Sequence, residues 1–220
     1  MSEALFLSLK LSFLTTLILL SISVPLSYTL AFLKVPFKGL LEALFISPIL
    51  IPPTVLGFYL LYILSPESFI GKAIEKLLGK SILFSFEALL IASVIYSLPF
   101  GIFPIRDSFE RIPGRYIEIA YVFGYSKLET FFKVILPNSW GGILTASALV
   151  FAHTMGEFGV VLMVGGNIPG ETRTLSILIY DEVQAINYRD AHIASLILLA
   201  VSMLALGIFI SMRRRWVRLS

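Results

Sequence analysis

The chain has no cysteine among its 220 residues. That excludes disulfides, thiolate metal sites and cysteine nucleophiles together. Charge is scarce as well. Asp, Glu, Lys and Arg make up 14% of the residues, where a soluble domain carries about a quarter. Histidine occurs twice, as His153 and His192, too sparsely to build a catalytic or metal-binding set. No Gly-x-x-x-x-Gly-Lys-Ser/Thr stretch occurs anywhere, so the chain has no P-loop for ATP. No catalytic, cofactor or metal site is expected. The net charge is only +3, and no basic run is interleaved with aromatics. Mild basicity of this kind reads as a loop bias of membrane proteins rather than as a nucleic-acid surface.

What the chain has in excess is apolar sequence. Hydrophobic residues account for 57% and the mean hydropathy is +0.91. Crossing a bilayer takes about 20 apolar residues in a helix. Charge-free runs cover Leu11–Leu33, Ala43–Pro66, Ala88–Ile105, Val134–Gly156 and Ile193–Met212. They predict an all-α integral membrane protein with five spans, near 11–33, 43–66, 86–106, 137–160 and 192–212. The first run exceeds the roughly 7–15 residues of a signal-peptide core and is read as a retained helix. Its Pro25 suggests that this helix packs inside the protein.

Orientation follows from Lys and Arg. Eleven fall on one side: Lys34, Lys38, Arg106, Arg111, Arg115, Lys127, Lys133, Arg213, Arg214, Arg215 and Arg218. Six fall on the other: Lys10, Lys72, Lys76, Lys80, Arg173 and Arg189. The basic tail, with Trp216 beside it, predicts the C-terminus inside and the N-terminus outside. Three of the outer lysines belong to 68–80. There Phe69, Ile70, Ala73, Ile74, Leu77 and Leu78 recur at helical spacing. A short amphipathic helix lying in the outer headgroup region is expected.

The loop at 107–136 is too polar to span and too patterned for a linker. Pro113-Gly114 makes a turn. Tyr116, Ile119, Ala120 and Phe123 share one helical face. Gly124 suits a helix C-terminus. Ser126 and Glu129 have capping-box spacing, and Leu128, Phe131, Phe132 and Ile135 line the helix that follows. Two short helices joined at a glycine are predicted, each with an apolar stripe. The stripes either pack back on the bundle or dock a partner, and spacing alone leaves both open.

Glu118-Ile119-Ala120, Gly124 six residues after the glutamate, and Leu136-Pro137 resemble the Glu-Ala-Ala loop of bacterial and archaeal ABC import permeases. Ile119 stands where that pattern has alanine, and Val134 where it has isoleucine. The resemblance implies that the loop docks into a separate ATPase subunit, with Glu118, Ala120, Gly124, Leu136 and Pro137 as the docking elements. Two further segments are similar to the oxyanion permeases for molybdate, tungstate and sulfate, most closely those for molybdate and tungstate. One is Ile51-Pro52-Pro53-Thr54-Val55-Leu56-Gly57. The other runs from Gly156-Glu157-Phe158-Gly159 to Thr174. The resemblance implies a translocation path and gate at Pro53, Thr54, Gly57, Thr154, Gly156 and Glu157.

Read from the residues alone, Pro52 and Pro53 break a span, either as a simple kink or beside a cavity. Glu157 is either a solvated interfacial residue or a functional one, with a structural partner at backbone or at Arg173. His153 reads as a core histidine, and Asp181 and Glu182 as a solvated outer loop. Gly165, Gly166, Asn167, Pro169 and Gly170 are turn chemistry.

The implied assembly pairs two copies of the chain in the prokaryotic inner or plasma membrane. It has two cytoplasmic ATP-binding subunits below and an external substrate-binding protein above. No nucleic acid is involved. Two rivals stay open: a secondary transporter, which would need buried ionisable couplers, and a membrane enzyme, which would need convergent polar groups.

Overall fold

A computed structural model describes the backbone of residues 1–219 and the side chains through Arg213. The basic-tail side chains Arg214, Arg215, Trp216 and Arg218 lie outside the described residues. The described chain is helical and has no strand.

The helices are α1 (Ser2–Phe32), α2 (Lys38–Leu50), α3 (Pro53–Leu64), α4 (Phe69–Leu78) and α5 (Phe86–Glu110). There follow α6 (Gly114–Val122), α7 (Lys127–Thr130), a π-helical turn at Phe131–Ile135, and α8 (Leu136–Asn138). The chain then forms α9 (Trp140–Met155), α10 (Gly159–Gly165), α11 (Leu175–Gln184) and α12 (Tyr188–Leu219). Three helices are each long and apolar enough to cross a membrane alone: α1, α5 and α12 through Arg213. The count reaches five if two bent pairs each serve as one span.

Both bends follow from local chemistry. The apolar stretch 43–66 divides at Ile51-Pro52, and α3 leaves α2 at 106°. Pro53 opens α3, where its missing N–H costs nothing. The second bend, 66°, separates Lys127–Asn138 from α9. The stretch expected as one helix over 137–160 is also interrupted at Gly156–Phe158, where α9 ends and α10 starts.

The buried face of α1 mixes leucines with a series of small hydroxyl residues. Ser8, Ser12, Thr15, Thr16, Ser23 and Ser27 are buried, while Phe6, Phe13 and Leu17 are exposed. Lipid is as apolar as leucine, so helix contacts in a membrane go to small residues that let backbones approach. Ser27 Oγ donates to the Ile102 carbonyl at 2.8 Å, and Gly101 of α5 faces Ser23 with no room for a Cβ. Pro25 itself lies on the exposed side of α1. The helix is therefore held by its hydroxyl-bearing face rather than around the proline.

The end of the bundle that carries the 106–137 segment has its own core. Ile105, Phe109, Ile112, Ile135, Ile143 and Ala146 form it, with Tyr28, Phe32 and Phe131 packed on it. Phe131 stands edge-on to Tyr28 at 5.4 Å between ring centroids. The π-turn that carries Phe131 thus ties the 106–137 segment to α1 and α5.

That segment folds as its turn residues dictate. Gly124 adopts φ 83°. The Tyr125 N–H donates to the Ala120 carbonyl at 3.0 Å and the Gly124 N–H to the Tyr121 carbonyl at 2.9 Å. This is a Schellman closure of α6. Ser126 and Glu129 cap α7 reciprocally. A Cβ on Gly124 would touch nothing within 4 Å, so only the backbone conformation resists a side chain there. Gly124→Ala is expected to cost about 1 kcal/mol. Amide exchange in α6 should speed up by about fivefold, with no change in the spans.

Candidate functional site

Two regions collect the candidate residues. The first is the surface of α6 and its neighbours. Ala120 is buried at 3% exposure and anchors α6 to the protein. Glu118, on the opposite face, is exposed, and so are Ile119 at 50%, Val122 at 86% and Phe123 at 77%. The helix after Gly124 divides similarly. Ile135 is buried, while Leu128 and Phe132 are exposed. The stripes therefore do not all fold back. Leu136 packs on the core of Ile105, Phe109 and Ile135, and Pro137 lines a cavity of about 620 Å³ with Asp107, Ser108, Arg111 and Arg213.

Beside this surface α2 is fastened to α5 by charge. Arg106 Nη1 lies 3.0 Å from Glu42 and its Nη2 3.0 Å from Asp107. Lys38 completes the group at 3.5 Å from Glu110. Arg106, at 19% side-chain exposure, is the least exposed member.

The second region lies where the two chain breaks meet. A Cβ on Gly57 would lie 2.8 Å from Met163 Cβ, and one on Gly159 would lie 2.9 Å from Pro53 Cβ. Only glycine permits α3 and α10 to approach so closely. The break at Ile51–Pro53 and the break at Gly156–Phe158 thus become one junction. Pro53, Thr54 and Gly156 are exposed there, while Gly57, Thr154 and Glu157 are buried.

Behind the junction α5 and α9 share a polar cluster. Ser97 Oγ is 2.9 Å from His153 Nδ1 and 3.2 Å from Thr154 Oγ1. The His153 ring packs at a tilt against Tyr96 and Phe100, at 4.7 and 4.4 Å between centroids. His153 is a core histidine with its partners inside the protomer.

Two sequence expectations are corrected here. Glu157 is not solvated and does not pair with Arg173. It is 4% exposed, and its carboxyl lies beside the Ser93 hydroxyl rather than Arg173. Its backbone carbonyl accepts from Ser176 Oγ at 2.5 Å. Arg173 Nε instead donates to Asn167 Oδ1 at 2.7 Å and lies 3.4 Å from Asp181. Asp181 in turn accepts from Asn167 Nδ2 at 3.0 Å. Asp181 is therefore a structural tie between α11 and the turn that precedes it, rather than a solvated loop residue. The grouping of Asn167, Arg173 and Asp181 was missed in the sequence. Its only signal was a lone basic residue in a Gly-rich turn, six residues from an asparagine.

Residues 23–218 match the family model of the binding-protein-dependent transport system inner membrane component. The chain belongs to this family. It is a multi-pass permease component of the inner membrane. Among curated relatives, the Azotobacter vinelandii molybdenum transport system permease protein ModB is 45% identical over 186 residues, covering 84% of this chain and 82% of that one. The Escherichia coli K12 protein of the same name is 30% identical over 209 residues, covering 95% and 91%.

Solved permeases share the fold at low identity. A bacterial ABC transporter that imports the acidic polysaccharide alginate aligns with TM-score 0.80 at 16% identity, covering 97% of this chain and 78% of that one. The MetNI methionine ABC transporter, in inward-facing form, aligns with TM-score 0.77 at 16% identity, covering 98% and 95%.

Proposed function

We propose that the chain is the membrane-spanning subunit of an ATP-driven importer for molybdate or tungstate. It takes the anion from an external binding protein and releases it to the cytoplasm. The observation that carries the reading is the exposed face of α6. Glu118, Ile119, Val122 and Phe123 stand exposed on a helix closed at its C-terminus by the Gly124 turn and anchored by Ala120, within a chain of this permease family. A rigid helix in a socket transmits closure of two ATPase subunits to the spans, biasing the bundle between inward- and outward-open forms. Glu118, Ala120, Gly124, Leu136 and Pro137 form the docking element. The choice of anion rests on the relatives named for molybdenum transport.

In this reading the stretches 43–66 and 137–160 each count as one span beside α1, α5 and α12, giving five, with the N-terminus outside. Two copies pair about a twofold axis, because one protomer has too few helices to enclose a path. Pro53, Thr54, Gly57, Thr154, Gly156 and Glu157 form the path and gate. The exposed members, Pro53, Thr54 and Gly156, carry no charge. Glu157 keeps its carboxyl inside the protomer, where it does not repel an anion. Tight affinity belongs to the binding protein, and ATP hydrolysis to the partner subunits. α4 lies in the outer headgroup layer.

Competition decides the substrate. Vesicles holding the permease, its ATPase and its binding protein are expected to take up labelled molybdate, and excess tungstate should suppress that uptake. Excess sulfate should leave it unchanged. Suppression by sulfate alone would reassign the cargo. The orientation has a direct check, since a chain without cysteine accepts single reporter cysteines. Lys34→Cys and Lys76→Cys are expected to label from opposite faces of the membrane. Labelling from the same face would overturn the topology.

A further inference from the structure

Two spans end at one cavity. α5 closes at Glu110, with Arg111 the next residue, and the membrane-crossing part of α12 closes at Arg213. Each helix is long and apolar enough to cross a membrane, so its end lies where hydrocarbon gives way to lipid headgroups. The start of α9 packs into the corner between them. A Cβ on Gly142 would have no room beside Ser108 of α5, and one on Gly141 would lie 4.0 Å from Arg213 Cγ. A cavity of about 620 Å³ stands between these three helix ends.

The charged groups among its described lining residues are Asp107, Arg111 and Arg213. The Asp107 carboxylate is taken by Arg106, whose Nη2 lies 3.0 Å away. Neither Arg111 nor Arg213 has an ion pair or a side-chain hydrogen bond among the described residues. A guanidinium fork matches the oxygens of a carboxylate or phosphate, and two unpaired forks leave the cavity with surplus positive charge. The sequence extends that surplus through Arg214, Arg215 and Arg218. Basic clusters at the end of a membrane span attract anionic lipid. Size points the same way. Cavities of roughly 300–1,000 Å³ hold drug-sized molecules, and a bare tetrahedral oxyanion would leave most of this one empty. Phe103 and Pro104 add apolar wall, which suits the glycerol beneath a lipid phosphate better than a hydrated inorganic ion.

We propose that the cavity between the ends of α5 and α12 and the start of α9 binds the headgroup of an anionic phospholipid, with Arg111 and Arg213 clasping its phosphate. The bound lipid ties the end of α12 to α5. α12 is the span that most needs such a tie. Only 6% of its most apolar stretch is buried, against 39% in α1 and 50% in α5. The site depends neither on which anion is carried nor on which way the chain faces.

The test is native mass spectrometry of the purified full chain in detergent, titrated with phosphatidylglycerol or phosphatidylcholine. Phosphatidylglycerol is expected to fill one saturable site per chain, about twenty-fivefold more tightly than phosphatidylcholine, from two arginines at about fivefold each. Arg111→Gln and Arg213→Gln should each weaken it about fivefold. Arg115→Gln, on α6 and away from the cavity, should leave it unchanged. Gly141→Leu keeps every charge but fills the cavity, and should weaken binding at least as much as either arginine variant. If that variant does not fold, Thr145→Leu, one turn further along α9 on the same wall, takes its place. Equal binding of the two lipids overturns the proposal. Tight binding that survives the leucine variant overturns it too, because the attraction is then one of net charge and not of a site. Displacement of phosphatidylglycerol by millimolar phosphate or molybdate at fixed ionic strength also overturns it, because the cavity then takes the free oxyanion.

Discussion

Glu118→Lys is expected to insert at wild-type level and to transport at about one-hundredth of the wild-type rate or less. Glu118 is exposed on α6, so the fold has little stake in its charge. Surface substitutions of this kind stay within about 0.5 kcal/mol of wild type. A docked interface reacts differently. Its central residues cost 2 kcal/mol or more when disturbed, and a reversed charge set against a socket shaped for the other sign adds repulsion. The exposed apolar residues beside it, Ile119, Val122 and Phe123, place Glu118 within the patch rather than at its rim. Co-purification with the ATPase subunits should fall with uptake. Glu75→Lys on α4, equally exposed, is the control and should change neither. Normal association and uptake in the Glu118 variant would remove the docking role from α6.

Gly57→Leu is expected to act through the fold. Its Cβ would enter within 2.8 Å of Met163 Cβ and 3.2 Å of the Val160 backbone. Met163 Cβ and the Val160 backbone are both fixed by α10, which cannot yield without moving the whole junction. Overpacking of this kind costs about 1–3 kcal/mol. For a chain of this size that is a fall of roughly 5 °C in melting temperature. Transport should fall further than stability, because α3 and α10 carry the exposed junction at Pro53, Thr54 and Gly156. Gly57→Ala should show the same direction with a smaller fall. Unchanged melting and transport in both variants would mean that the close approach of the two helices carries neither stability nor function.

How much of this was legible in the sequence depends on how local each feature is. The α6–α7 pair was legible because its punctuation is local. Pro113-Gly114, Gly124 and the Ser126–Glu129 box act within a few residues of themselves. The break at Pro52-Pro53 was legible for the same reason, but its 106° amplitude was not. That angle is set by α3 settling on α10, a hundred residues further along the chain. The partner of Glu157 was misjudged because spacing does not give side-chain direction at a helix break. Arg173 found nearer partners in its own turn and on α11. Pro25 drew notice in α1, yet the informative pattern was the Ser/Thr series at 8, 12, 15, 16, 23 and 27. Its helical spacing marks the packed face. Small hydroxyl residues do not register in a hydropathy scan, which sees only a uniform apolar run.

The central claim is that this chain moves solute only when another protein's nucleotide cycle drives it through α6. Reconstitution tests it most directly. Vesicles containing the chain alone should neither hydrolyse ATP nor accumulate molybdate, and adding the ATPase subunits and the loaded binding protein should start both. Accumulation by the chain alone, against a gradient and without those partners, would contradict the account.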